Sequence, residues 1–269
     1  MTDPAQLRDL AVEVATAAAA LVRREAGGVV VADTKSSAVD VVTEVDRRSE
    51  ALLRELILAA RPHDTVLGEE EGEAVGTSGV RWIVDPVDGT VNLLYGIPEY
   101  AVSVAAEVDG EVVAGAVVAV AQGHVYAAAR GHGATKDGAP IRVRGAAPDG
   151  ARLVQTGFGY MAEVREHQGA CVARLLPRVR DIRRAGSCAL DLCHLAEGLA
   201  DAYVEEGPRI WDWAAGALVL TEAGGSFALL EGHLGRRLAG WSKESVVVAS
   251  TPSEWDGFVA DLRETGFLV

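Results

Sequence analysis

Cysteine is scarce in this chain: three occur in 269 residues, Cys171, Cys188 and Cys193, with no CxxC spacing and an odd count. That excludes a disulfide scaffold and fits a reducing compartment, with buried free thiols as the default for Cys188 and Cys193, which share one helical segment. Aromatic residues are also few, at 5% against 49% hydrophobic overall, so the core must be built from small aliphatic side chains. No apolar run is long enough to cross a bilayer, and the Ala-rich stretch Ala15 to Leu21 is far too short to do so. The amino-terminal stretch lacks a basic region and carries Asp3, Asp9 and Glu13, so a signal peptide is not expected and a cytoplasmic location is. Positive charge is in deficit: 25 Lys and Arg face 39 Asp and Glu, a net charge of -14, and no basic stripe offers itself to a nucleic-acid backbone.

Two catalytic signatures are missing as well. The six histidines (63, 124, 132, 167, 194 and 233) include no HExxH and no close pair, which argues against zinc hydrolysis. Ala185-Gly186-Ser187-Cys188-Ala189 lacks the second glycine of a nucleophile elbow, so a serine hydrolase is not indicated.

What the chain does have is acid placed where acid is expensive. Trp82-Ile83-Val84 reads as a buried strand, and it ends in Asp85-Pro86-Val87-Asp88-Gly89-Thr90. Desolvating a carboxylate is costly unless something pairs with it. Asp85 and Asp88, with the Val87 carbonyl between them, could present three oxygens to one small volume, as a hard divalent cation requires. The same residues also suit a plain Pro-Asp-Gly turn. Two further acidic spots keep them company. Gly68-Glu69-Glu70-Glu71-Gly72 follows the apolar pair Val66-Leu67, and Asp212 stands between Trp211 and Trp213 at the start of a small-residue helical stretch. Each has its own plain reading, a solvated acidic loop for the first and a helix cap for the second. Together, three acidic spots beside strand ends and helix starts fit a multi-metal site.

The ordered set resembles the inositol monophosphatase family of Mg²⁺-dependent phosphatases. Its pattern is an acidic G-E-E segment, then D-P-x-D-G-T-x-N, then W-D-x-A-A-G. Here these read Gly68-Glu69-Glu70, Asp85-Pro86-Val87-Asp88-Gly89-Thr90-Val91-Asn92 and Trp211-Asp212-Trp213-Ala214-Ala215-Gly216, and Lys35 to Asp46 matches a further K-x-x-x-x-D-x-V-T-x-x-D element. The resemblance implies a homodimer with an αβαβα layered sandwich, an α+β lobe over residues 1–145 followed by an α/β lobe over 146–269. It implies two or three Mg²⁺ ions held by Glu69, Asp85, the Val87 carbonyl, Asp88 and Asp212, with Asp85 bridging. Water activated by metal would attack a phosphate monoester directly, with Glu69 and Thr90 orienting and deprotonating it, and with Lys35, Asp46 and Glu70 in support. The plain reading of Thr90 is a helix cap, and that of Asp46 likewise.

The substrate implied is a small phosphorylated polyol or sugar, inositol 1-phosphate above all, with no nucleic acid or membrane as partner. By resemblance it would meet Asp88, Gly89, Thr90, Gly186, Ser187, Cys188, Glu205 and Asp212. Cys188 stands where alanine is usual, and Thr156-Gly157-Phe158-Gly159-Tyr160 lacks a serine pair found in some relatives. Other phosphatases of this kind act on fructose 1,6-bisphosphate, histidinol phosphate, adenosine 3′,5′-bisphosphate or NADP, and an interaction module on the same fold is the non-enzymatic rival. Arg209, Arg183 and Arg184 are expected to be solvated.

Periodicity predicts helices at Pro4 to Arg24, Asp46 to Ala60, Glu163 to Leu176, Ser187 to Glu197, from Asp212 onward, and Ser253 to Gly266. Strands are expected at Thr65-Leu67, Arg81-Val84, Ala101-Val108, Glu111-Val120, His124-Ala129, Gly133-Val143, Arg152-Thr156, Asp181-Arg184, Ala202-Val204 and Ser245-Ala249. Asp109-Gly110 reads as a hairpin turn, and Asp137-Gly138 as a second turn.

Overall fold

The computed structural model describes residues 3–28, 31–34, 41–147, 151–238 and 242–269. Its strands are β1 (Val31–Thr34), β2 (Val41–Thr43), β3 (Thr65–Gly68), β4 (Gly72–Ala74), β5 (Val80–Asp88), β6 (Ala101–Val108), β7 (Glu111–Ala119), β8 (His124–Ala129), β9 (Ala134–Lys136), β10 (Ala139–Pro140), β11 (Leu153–Thr156), β12 (Asp181–Arg183), β13 (Ala202–Glu206), β14 (Ser226–Glu231) and β15 (Glu244–Ser250). The helices are α1 (Pro4–Glu25), α2 (Glu44–Ala60), α3 (Thr90–Tyr95), α4 (Ala162–Leu175), α5 (Cys188–Ala196), α6 (Ile210–Glu222), α7 (His233–Arg237) and α8 (Trp255–Thr265).

Eight strands form one sheet in the order β10-β9-β8-β7-β6-β5-β3-β4, and five form another in the order β12-β11-β13-β15-β14. The alternation of buried residues along the strands decides what lies on each face. Trp82 and Val84 of β5 turn toward α1 and α2, where they meet Leu7, Val14, Leu53 and Ile57. Ile83, between them, turns the other way and packs with Leu190 and Leu192 of α5 and Leu218 of α6. Those two helices also take Tyr203, Val247 and Ala249 from the second sheet, so they are the shared filling between the sheets. On the far side, Val246 and Val248 pack with Leu175 of α4 and Phe258 and Leu262 of α8. The layers are therefore helix, sheet, helix, sheet, helix, the αβαβα sandwich expected.

Small residues let α6 lie close to the first sheet. A Cβ added at Gly115 of β7 would come within 3.1–3.2 Å of Ala215, and one at Gly216 within 3.0 Å of Leu192. The scarcity of aromatics thus has a structural counterpart in closely spaced layers.

Most predicted elements stand within one or two residues of their expected bounds. Asp109 and Gly110 both take positive φ, 53° and 81°, as a hairpin turn of this type requires. The segment Gly133 to Val143 turns at Asp137-Gly138 as expected, with positive φ values of 52° and 79°, and its two short strands, β9 and β10, fold back on each other there. β1, β2, β4, β14 and α7 were not foreseen. Every residue of β14 is half-buried, so it shows no inside–outside alternation for a sequence pattern to reveal. The second sheet is mixed: β11 runs parallel to β12 and β13, while β15 is antiparallel to both its neighbours. No helix among the described residues is long and apolar enough to cross a membrane.

Candidate active site

β3 and β5 run parallel in a register that pairs Gly68 with Val84. The next residue on each strand is Glu69 and Asp85, so the parallel pairing alone brings these two acids to the same sheet end. Asp85 and Asp88 pose a harder problem. Three residues apart on a regular strand, they would point to opposite faces. The register against β6 shifts here, with Asp85 opposite Ser103 but Asp88 opposite Ala101, so three steps on β5 match two on β6. This bulge turns both carboxylates to one side. Pro86, which has no N–H to give the ladder, sits inside it. Asp85 is buried and accepts a hydrogen bond from the Val87 N–H at 2.9 Å.

Two helices complete the site. The N-terminus of α5 meets Asp88: the Ser187 hydroxyl donates to its Oδ2 at 2.6 Å and the Ala189 N–H at 2.7 Å. Ser187 also caps α5 by accepting from the Leu190 N–H. Asp212 lies in the first turn of α6 and accepts from the Arg209 N–H at 2.5 Å, so it caps the helix and faces Asp85 at once. The Ser103 hydroxyl donates to the Trp211 carbonyl, which ties the start of α6 to β6.

Carboxylate oxygens of Asp85, Asp88 and Asp212 come within 4.8 Å of one another, and Glu69 stands with them on the wall of a cavity of about 370 Å³. At an effective dielectric of about 20, each such pair repels by about 3–4 kcal/mol. That exceeds what one charge-assisted hydrogen bond returns, about 1.5–3 kcal/mol. Without a cation, the cluster therefore holds on to protons. Burial and then the charges of Glu69, Asp88 and Asp212 push Asp85 well above the usual carboxylate range. Asp212 is raised likewise, by burial first and then by Glu69 and Asp88. Asp88 rises only to about 6: burial lifts it, and Ser187, the α5 backbone N–H groups and Arg184 pull it back. An oxygen-only donor set with uncompensated charge, open to a cavity, fits a hard divalent cation.

The pattern of the inositol monophosphatase family matches residues 3–266. The chain belongs to the inositol monophosphatase family. It is 44% identical to an inositol-1-monophosphatase of Mycobacterium bovis over 280 residues, covering 97% of this chain and 94% of that one. A Nus factor SuhB of Salmonella typhimurium is 34% identical over 227 residues, 84% of this chain and 83% of the other. Among solved structures, Mycobacterium tuberculosis SuhB superposes with a TM-score of 0.84 at 41% identity, covering each chain fully at 100%. A Thermotoga maritima IMPase gives 0.82 at 29% identity, covering 96% of both.

The remaining residues of this inositol monophosphatase family member fall into place around the cluster. Thr90 opens α3, and its hydroxyl lies 2.9 Å from Asp46 Oδ1 and 3.0 Å from the Val87 carbonyl. Gly89 before it has φ of 100°, and a Cβ there would crowd the Glu99 carbonyl at 2.9 Å, so only glycine fits. Asp46 accepts from the Thr43 N–H at 2.9 Å and so caps α2 while holding Thr90. Glu205 ends up half-buried in the cavity wall, with the Tyr203 hydroxyl donating to its Oε2 at 2.6 Å. Burial raises its pKa to about 7 against the opposing pull of Tyr203 and Arg184. Gly157 faces it closely, since a Cβ there would meet the Glu205 carboxylate at 1.9 Å. Gly186 and Cys188 line the cavity, and burial and then Glu205 push the Cys188 thiol well up, so it stays protonated.

Several expectations change on inspection. Ser187 is buried and off the cavity wall, engaged with Asp88 instead of facing a ligand. Arg184 and Arg209 are exposed, as expected, but also line the cavity, while Arg183 is exposed and pairs with Asp181. Glu70, expected only in support of the site, is off the cavity wall, with its backbone N–H bonded to Glu50. Lys35 lies outside the described residues. Tyr203 and Arg184 carry no local motif, and no signal short of the fold singles them out.

Replacing Ser187 by Ala removes one of the bonds on Asp88 and the cap of α5. A cap loss of about 1 kcal/mol should lower the melting temperature by about 2–4 °C. It should also weaken Mg²⁺ binding, read as a higher half-saturating concentration in a thermal-melt titration. An unchanged titration would mean that Asp88 does not need Ser187.

Proposed function

We propose that the chain is a divalent-cation-dependent phosphatase acting on a small phosphorylated polyol, inositol 1-phosphate first among candidates. The observation that carries this reading is the gathering of Asp85, Asp88 and Asp212 within 4.8 Å at the cavity, with Glu69 beside them. Those four side chains and the Val87 carbonyl would hold the cations, taken to be Mg²⁺ in two or three positions. When bound, they would neutralise phosphate charge and lower the pKa of water, the dominant need in a reaction as slow uncatalysed as monoester hydrolysis.

The chain's own groups supply orientation and proton handling. While Thr90 donates to Asp46, its oxygen keeps lone pairs to accept a hydrogen bond from an attacking water, so a proton taken from that water can be matched by the hydroxyl proton passing to Asp46, and Glu69 is a carboxylate on the cavity wall that can share that task. Elsewhere on the cavity wall Glu205, held by Tyr203, is the acceptor available to substrate hydroxyls. Arg184 and Arg209 add positive charge to that wall and favour an anionic ligand. A cavity of about 370 Å³ suits a single phosphorylated ring.

Several relatives bear the name Nus factor SuhB, among them those of Pasteurella multocida and Salmonella typhimurium, and this supports a second reading in which the fold serves as an interaction module. The intact carboxylate set favours the enzyme. The test is phosphate release from inositol 1-phosphate, fructose 1,6-bisphosphate, histidinol phosphate, adenosine 3′,5′-bisphosphate and NADP over a range of Mg²⁺ concentrations. Mg²⁺-dependent preference for inositol 1-phosphate is the expected result. Preference for another substrate would keep the chemistry and shift attention to Cys188, Tyr160 and Arg209. No turnover of any would leave the interaction reading.

A further inference from the structure

Helix α2 carries a row of buried polar residues where its inward face should be apolar. Asp46, Ser49, Glu50 and Arg54 follow the i, i+3, i+4, i+8 spacing of one helical stripe. Each is buried, Glu50 completely and Arg54 at 9% exposure. Their contacts go to the backbone of the acidic site. Asp46 takes Thr90 at 2.9 Å, and the Ser49 hydroxyl donates to the Pro86 carbonyl at 3.1 Å. Glu50 accepts from two successive N–H groups, Glu70 at 2.7 Å and Glu71 at 3.0 Å. Arg54 donates to Glu50 at 2.9 Å, to the Val66 carbonyl at 3.2 Å and to the Gly72 carbonyl.

The Glu50–Arg54 pair therefore grips both ends of the Glu69 segment: Val66 on β3 before it, Gly72 on β4 after it, and the two N–H groups just beyond Glu69. Gly68 completes the fit, because a Cβ there would fall 2.3 Å from the Glu50 carboxylate. A buried ion pair is not an economical source of stability, since desolvation offsets much of its attraction and an apolar pair of like volume often serves as well. An apolar pair would, however, lose the bonds that Glu50 accepts from the part-buried Glu70 and Glu71 N–H groups and those that Arg54 donates to the Val66 and Gly72 carbonyls. A carboxylate so close to Glu69, Glu70 and Glu71 also costs repulsion unless a cation neutralises it, which is what Arg54 does.

We infer that Glu50 and Arg54 are positioning residues that hold Glu69 against the Asp85–Asp88–Asp212 cluster and thereby set the site's affinity for its divalent cation. This rests on the metal reading above. It assigns a function to a helix face that touches no substrate.

The test is a Mg²⁺ titration of the full-length protein read by thermal melting and by the fluorescence of Trp211 and Trp213, which flank Asp212. It would compare wild type with Glu50→Gln, Gly68→Ala and the double variant Glu50→Gln/Arg54→Met, which leaves no unpaired buried charge. Leu262→Ala, in the remote cluster under α8, is the control for stability alone. Supporting shells of this kind are worth about 10–100-fold in metal affinity. The half-saturating Mg²⁺ concentration should rise about tenfold or more in Glu50→Gln, Gly68→Ala and the double variant, while Leu262→Ala lowers the melting temperature with the midpoint unmoved. Variants that melt lower yet titrate like wild type would overturn the inference and leave the pair a structural tie. A wild type with no Mg²⁺ response at all would instead overturn the metal reading, and this inference with it.

Discussion

Asp85→Asn should cut phosphate release by about 10²–10³-fold or more at saturating Mg²⁺, while making the metal-free protein more stable. Loss of one preorganised charge partner in a water-poor site costs at least this much, and Asp85 is central here. It is the most enclosed acid of the cluster, and it lies between Glu69 on the neighbouring strand and Asp212 on α6. Asparagine preserves its shape and can still accept the Val87 N–H, so the fold should survive. The stability half of the prediction follows from the same charge. Burial and three acidic neighbours raise the Asp85 carboxyl well above the usual carboxylate range. At pH 8 in EDTA the wild type bears the strain of its ionisation, which the amide removes. Each kcal/mol relieved moves the melting temperature by about 2–4 °C in a chain of this size. The gain should shrink as pH falls and vanish below about pH 4, where the carboxyl of the unfolded chain is protonated as well. Near-normal turnover would remove Asp85 from the metal-bridging role.

The second large effect concerns the cation itself. With Mg²⁺ at about 100 times its dissociation constant, mass action contributes about 2.7 kcal/mol, or roughly 5–10 °C in melting temperature. The pH dependence has a definite sign. Asp88 is raised to about 6 and Glu205 to about 7, and Asp85 and Asp212 are raised well above the usual carboxylate range. An acid whose folded pKa exceeds its unfolded value binds more protons in the native state, so its contribution is lost as pH rises. In EDTA, stability should therefore decline from about pH 4 through pH 7 as these carboxyls ionise. Cation binding needs them ionised, so the Mg²⁺-induced increment should grow over the same interval. Melting curves at pH 5, 6, 7 and 8, with and without Mg²⁺, check both slopes. An increment that is flat or shrinks with pH would mean the cation is not held by these groups.

The acids were legible in the sequence because each leaves a local signature: an apolar strand closed by Asp85, glycines around Glu69, tryptophans around Asp212. Glu50 and Arg54 were not. Charged residues four apart on a helix look like a solvent-facing pair, and only the approach of the 68–72 segment turns that pair inward. Arg184 and Arg183 are adjacent and chemically identical, so nothing local distinguishes the one on the cavity wall from the one paired with Asp181. Ser187 matched a ligand-binding pattern, but the position of Asp88 beneath α5 turns its hydroxyl inward. β14 escaped because a uniformly half-buried strand has no period to detect.

By itself, the sequence determined the residue types: which segments are helix or strand, and which acids stand at their ends. Propensity, capping and burial cost act over a few residues, and so they can be read locally. The tertiary structure decided which of those acids meet. The parallel register of β3 and β5, the bulge that brings Asp85 and Asp88 to one side, and the close seating of α5 and α6 between the sheets are pairings between distant segments. Repulsion among three carboxylates within 4.8 Å would scatter them in an unfolded chain, and only the packed layers hold them together to receive a cation.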